Sequence, residues 1–138
     1  MRFIIFVKST ADMEAEDPQA PEIPADLMAE MTAYHEQLAQ AGCLLDGSGL
    51  QPSRTGWRIR YDGKRQTVID GPFPETKELV AGYTLIQVRS REEAMEWARR
   101  FPNPAVDRGA AEIEVRQLFE LEDFGAENAE RFRAIGLS

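Results

Sequence analysis

Asp70-Gly71-Pro72-Phe73, continued by Pro74-Glu75-Thr76-Lys77-Glu78 and closed by Gly82-Tyr83, joins two strand-like runs, Arg65–Ile69 and Gly82–Val88. Gly71 tolerates backbone angles closed to other residues. Pro72 fixes φ and removes a donor, and the residue before a proline is pushed out of the helical region. Asp70 can fold its carboxylate onto nearby backbone N–H groups. Phe73 is a large apolar group in a polar loop, which reads as a plug. A connection this particular is more than a plain hairpin turn.

Working outward, Gly56–Tyr61 alternates, with Trp57, Ile59 and Tyr61 on one face and Arg58 and Arg60 on the other. Asp62-Gly63 is a two-residue hairpin signal, and Lys64–Asp70 returns as the partner strand. Cys43–Leu50 is a short extended segment with a bulge expected at Gly47 or Gly49. Asp26–Ala41 carries Leu27, Met31, Tyr34, Leu38 and Ala41 on one helical stripe, with Gly42 as its C′ cap. Ser9–Pro24 is acidic and proline-bearing and reads as a loop. Arg2–Lys8 is apolar at both alternating sets, Phe3, Ile5, Val7 and Ile4, Phe6, the pattern of a strand buried on both faces.

On the other side of the central stretch, Glu75–Leu79 suits one helical turn. Gly82–Arg89 is a long strand, with Tyr83, Leu85 and Gln87 opposed to Ile86 and Val88. Ser90-Arg91-Glu92-Glu93 fits a capping box opening a helix that stops at Pro102. Its stripe is Ala94, Trp97, Ala98 and Phe101. Asn103–Ala111 reads as a loop and Glu112–Leu121 as the last strand, with Ile113, Val115, Phe119 and Leu121 inward. The domain is expected to span 1–124, followed by a charged helix or tail at 125–138.

The order β, α, β, inserted hairpin, β, α, β gives an α+β fold of the ferredoxin-like, split-βαβ plan with an inserted β-hairpin. Two helices cover one face of a four-stranded sheet. The central strands are apolar on both faces, so the second face requires a partner. A second copy across a two-fold axis supplies it, predicting a homodimer shaped as a dimeric α/β barrel.

Composition narrows the partners. The net charge of −8 argues against nucleic acid, which wants a basic face. The longest apolar run, Phe3–Val7, is too short to span a membrane. Export signals are not evident, so the expectation is a cytoplasmic protein. One cysteine, Cys43, excludes an internal disulfide and any multi-cysteine zinc site. Residues 10–34 hold seven carboxylates and no Lys, Arg or His, against a basic cluster of Arg54, Arg58, Arg60, Lys64 and Arg65. These are either solvated surface, complementary patches within a dimer, or a pocket for an anion.

The Asp70-Gly71-Pro72-Phe73 motif with Glu75-Thr76-Lys77-Glu78 resembles the signature of the DGPF branch of the YCII-related (YciI-like) proteins. Ala41-Gly42 with Leu44-Leu45, Gly49-Leu50-Gln51-Pro52-Ser53, Glu92-Glu93-Ala94 with Trp97, and Glu112–Arg116 extend the resemblance over residues 2–124. It implies the dimeric ferredoxin-like barrel. It also implies, for some DGPF proteins, a link to extracytoplasmic-function sigma factors. Relatives outside the branch are proposed to use a His-Asp pair, and one removes chloride from a chlorinated hydroxyquinol. A carboxylate-oriented imidazole serves as a base near neutral pH. Met31 and Phe101 stand at the two positions here, and His35, one turn later, is read as lying on another face.

The candidate ligand-binding residues are therefore His35, Asp70, Phe73, Glu75, Lys77, Tyr83 and Arg116. Asp70, Glu75, His35 or Tyr83 would do acid–base work around a pocket, while Lys77 and Arg116 would hold an anion. Each also has a structural reading: His35 as a boundary residue, Asp70 tying its own turn, Lys77 paired with a nearby Glu, Arg116 as a strand-face charge. Asp70, Glu75 and Glu78 lack an accompanying His or Cys, so no metal is expected, and no cofactor. Cys43 reads as core rather than nucleophile. Two functions follow: a small-molecule-binding or regulatory module without the His-Asp pair, or a cofactor-free lyase or isomerase acting on a cyclic or aromatic compound near the Asp-Gly-Pro-Phe loop.

Overall fold

In the computed structural model, which describes residues 1–138, six strands and four α-helices follow the chain. They are β1 (Arg2–Lys8), α1 (Ala11–Ala15), α2 (Ala25–Gln40), β2 (Leu44–Gly49), β3 (Trp57–Asp62), β4 (Arg65–Asp70), β5 (Val80–Gln87), α3 (Arg91–Arg99), β6 (Ile113–Gln117) and α4 (Ala126–Ala134). The main sheet has the order β2-β5-β1-β6 with every neighbouring pair antiparallel. With α2 after β1 and α3 after β5, this is the split-βαβ order. Strands β3 and β4 form a separate two-stranded ribbon.

Register decides the two faces. Phe3 and Ile5 of β1 sit beside Ile86 and Thr84 of β5, and all four are buried. Tyr34, Leu38, Ala94 and Trp97 of the helices close over them. Ile4, Phe6, Tyr83 and Leu85 occupy the opposite face and are only half-buried. The double-sided apolar pattern of β1 thus corresponds to one buried face and one half-covered face. Near its end, Arg2 reaches Glu120 at 3.0 Å and the Ser138 carbonyl at 2.9 Å, tying the C-terminal segment to β1.

Local chemistry explains the boundaries. Helix α2 ends in a Schellman motif: Gly42 takes φ +73°, its N–H donates to Ala39, and the Cys43 N–H donates to Leu38. Ser90 caps α3 by accepting from the Glu93 N–H at 3.1 Å, but Glu93 reaches back to Arg89 rather than to Ser90. In the ribbon, Asp62 pairs with Arg65, so the two-residue turn is Gly63-Lys64, with Gly63 at φ +60°.

Several expectations are corrected. The segment 9–24 holds the short helix α1, capped by Thr10, whose hydroxyl accepts from the Met13 N–H. The bulge of β2 falls at Leu45, between Leu44 and Asp46, and not at a glycine. Ala41 is exposed, beyond the last turn of α2. Strand β6 ends at Gln117. Phe119 then turns outward at 72% exposure against Phe124, and Leu121 opens a 3₁₀ turn.

Candidate functional site

Helix α2 and the β2–β5 edge of the sheet diverge enough to leave a partly enclosed cavity of about 810 Å³. Met28 and Met31 of α2 and Leu44 of β2 line it, and Phe101, Pro104 and Val106 close one end. The opposite wall comes from the acidic segment, through Met13, Glu16, Pro18 and Ile23.

His35 stands at the cavity wall. Its Nδ1 is 2.7 Å from the Met31 carbonyl oxygen, which can only accept, so Nδ1 carries the proton. In the neutral ring Nε2 is then an acceptor, 2.9 Å from the buried Thr84 hydroxyl. Both ring nitrogens are engaged and the tautomer is set. Met31 and His35 line the same cavity, which corrects their assignment to different faces: residues four apart on a helix are neighbours.

The Asp70–Phe73 loop lies elsewhere. A Cβ on Gly71 would overlap the Ser53 carbonyl oxygen, so only glycine permits the close approach of the two loops. The Phe73 N–H donates to the Ser53 hydroxyl at 2.9 Å, and Arg58 stacks on the Phe73 ring at 3.8 Å. Ser53 then turns the other way. Its N–H donates to the Glu14 carboxylate at 2.7 Å and its hydroxyl donates to the other Glu14 oxygen. Arg54 donates to the Glu14 and Glu16 carbonyls. The motif therefore braces the Ser53 turn, and that turn clamps the acidic segment that walls the cavity.

The model of the YCII-related domain matches residues 1–121. The chain belongs to the YCII-related family. An uncharacterised protein of Rhizobium meliloti (strain 1021) is 31% identical over 94 residues, covering 68% of this chain and 76% of that protein. Among solved structures, the 5-chloro-2-hydroxyhydroquinone dehydrochlorinase (TftG) of Burkholderia phenoliruptrix AC1100, bound to 2,5-dihydroxybenzoquinone, superposes with a TM-score of 0.46 at 16% identity. That alignment covers 86% of this chain and 94% of that one.

Of the seven candidate residues, only His35 and Tyr83 touch the cavity, and the Tyr83 side chain lies on the sheet face away from α2, beside Phe6. The Tyr83 hydroxyl donates to Asp46 at 2.8 Å, and that hydrogen bond raises it above the ordinary phenol range. Asp70 is exposed, and its carboxylate accepts no hydrogen bond from its own turn. Glu75 and Lys77 are exposed, without ion pairs, at and just inside the 3₁₀ turn Thr76–Glu78. Arg116 pairs with Glu114 at 3.4 Å on the half-covered sheet face. Neither Lys77 nor Arg116 lines the cavity. Met31 and Phe101, which stand where the resemblance aligns the His-Asp pair, both line the cavity. Nowhere do three or more His, Cys, Asp or Glu side chains converge as a metal site would require. Burial, with Glu93 beside it, pushes the Cys43 thiol up.

Sequence reasoning missed Thr84, the Glu14–Ser53 clamp and Arg108. Arg108, at φ +59°, pairs with Glu30 at 2.6 Å and Asp26 at 3.4 Å, holding the Pro104–Val106 end of the cavity against the start of α2. A polar residue in the middle of an otherwise apolar strand was the one available signal for Thr84.

Proposed function

We propose that this chain is a small-molecule-binding module whose ligand lies in the cavity between α2 and the β2–β5 edge. The observation that supports it is the cavity itself. Its volume, about 810 Å³, falls in the range of about 300–1,000 Å³ that ligand sites occupy. Its wall is largely apolar, and Met31 and Phe101 fill the positions where a base and its orienting carboxylate would stand. The Asp70–Phe73 motif supports reading the chain as one of the DGPF branch. The module works as a cytoplasmic homodimer in which a second copy covers Ile4, Phe6, Tyr83 and Leu85. A single buried, free cysteine fits a reducing compartment, and no helix is long and apolar enough to cross a membrane.

The test is a thermal-shift screen of small apolar compounds on the wild type and Met31→Trp, which narrows the cavity. Ligands stabilise the state they bind, so hits raise the wild-type midpoint. Met31→Trp should keep its own midpoint and lose the shifts. Shifts retained in that variant would place the ligand elsewhere.

One contact favours a second reading, the cofactor-free lyase or isomerase. The Met31 carbonyl orients His35, and His35 accepts from the Thr84 hydroxyl, so a base stands at the cavity wall with its tautomer set. Each hit is therefore followed for turnover with wild type and His35→Gln. Turnover lost in that variant selects the enzyme; binding without turnover selects the module.

A further inference from the structure

We infer that the cavity selects an apolar molecule carrying a protonated amine, with Glu16 as the group that receives the ammonium. This rests on reading the cavity as a binding site. The charged groups along the wall are all carboxylates, Glu16 and Asp17, with Asp46 on the β2 edge beside Leu85, on the sheet face away from α2; no Lys or Arg lines it. Two of the three already have partners, since Asp17 accepts from the Gln19 N–H and Asp46 from the Tyr83 hydroxyl. Glu16 differs. It is half-buried, its carbonyl is bound by Arg54, and its carboxylate has no hydrogen bond or ion pair within the chain.

Four cations near the cavity have partners, Arg54 through backbone carbonyls alone. Arg54 holds the Glu14 and Glu16 carbonyls. Arg108 is paired with Asp26 and Glu30, which hold it protonated. Arg100 donates to Gln37 and stacks over Trp97 at 4.1 Å. Lys8 faces Glu114. An anionic ligand would enter a partly enclosed space facing Glu16 and Asp17, and no Lys or Arg lines that space. An ammonium gains from the same arrangement, because charges interact more strongly as water is excluded. Met13, Met28 and Met31 give the apolar body an adaptable wall.

The experiment titrates phenylbutylamine, phenylbutanol and phenylbutyrate, one apolar body with three head groups, into the wild type and Glu16→Gln by calorimetry at low and moderate salt. The amine should bind about fivefold tighter than the alcohol, as an ion pair near the surface allows, and the butyrate weakest of the three. Raising salt should shrink the preference. Glu16→Gln, which removes no internal contact, should melt like the wild type and bring the amine to the level of the alcohol. Butyrate or alcohol binding as tightly as the amine overturns the charge inference and leaves the binding module standing. The same holds if Glu16→Gln keeps the preference for the amine. Failure of all three to bind overturns the module reading, and this inference with it.

Discussion

At the scale of single residues, Gly71 carries the motif. Its Cα faces the Ser53 carbonyl with no room for a side chain. Gly71→Ala must move one loop off the other, which costs about 1–3 kcal/mol by the usual measure of overpacking. Chemical denaturation should show that loss, whereas Asp70→Ala, at an exposed carboxylate, should fall within about 0.5 kcal/mol of wild type. Tyr34 makes a pH prediction. It is buried, its hydroxyl donates to the Trp97 carbonyl at 2.8 Å, and burial pushes its pKa up to about 12 despite the lowering effect of Arg100. The unfolded chain releases this proton near pH 10 and the folded one near 12, so between them the unfolded state binds fewer protons. This contribution to stability is complete below pH 10 and is lost as pH rises through 12. A wild-type melting midpoint that drops over that window, with a shallower drop in Tyr34→Phe, is the expected result.

At the scale of elements, helix α1 has five residues and none of them is buried, so its own packing cannot hold it. The Glu14 carboxylate on Ser53 and Arg54 on two carbonyls hold it instead. Glu14→Ala leaves the Ser53 N–H without its charged acceptor, at about 1–3 kcal/mol. Hydrogen exchange should then accelerate across residues 10–24 while β1 and β5 stay protected, since weakly packed segments open locally. Equal protection in the variant would mean that something other than the clamp holds the wall. This element was only half legible in sequence. The seven acidic groups of residues 10–34 stood out, but the partners that hold the segment lie far along the chain, Ser53 at 39 positions from Glu14 and Arg108 at 82 from Asp26.

At the scale of the whole molecule, two apolar surfaces lack cover. One is the sheet face of Ile4, Phe6, Tyr83 and Leu85. The other is the ribbon, where Trp57, Tyr61 and Val68 are 65%, 66% and 64% exposed on a two-stranded unit that is marginal alone. Both are accounted for if two copies pack sheet to sheet and the ribbons lie against the partner. Light scattering should give twice the 15.6 kDa of one chain. Leu85→Glu, on the sheet face, should give a monomer with unchanged helical signal, and Trp57→Ser with Tyr61→Ser should weaken the dimer. A wild type that runs at 15.6 kDa would remove the two-fold arrangement.

The order of the sheet strands and their two covering helices, the two central strands, the C′ glycine of α2 and the separate hairpin were determined by the sequence alone. Each rests on a signal of period two or 3.6, or on a turn residue, within a dozen positions. Locating the cavity required the tertiary structure. His35 and Thr84 are 49 positions apart, and Phe73 and Ser53 are 20 apart. No local pattern records such distances. The motif that identified the family proved to be a brace and not a wall of the cavity, because glycine and proline fix where a loop goes and say nothing of what it is pressed against. The placement of His35 beside Thr84, and of an unpaired Glu16 on the cavity wall, depends on α2 and the acidic segment closing over the β2–β5 edge, and only packing brings those surfaces together.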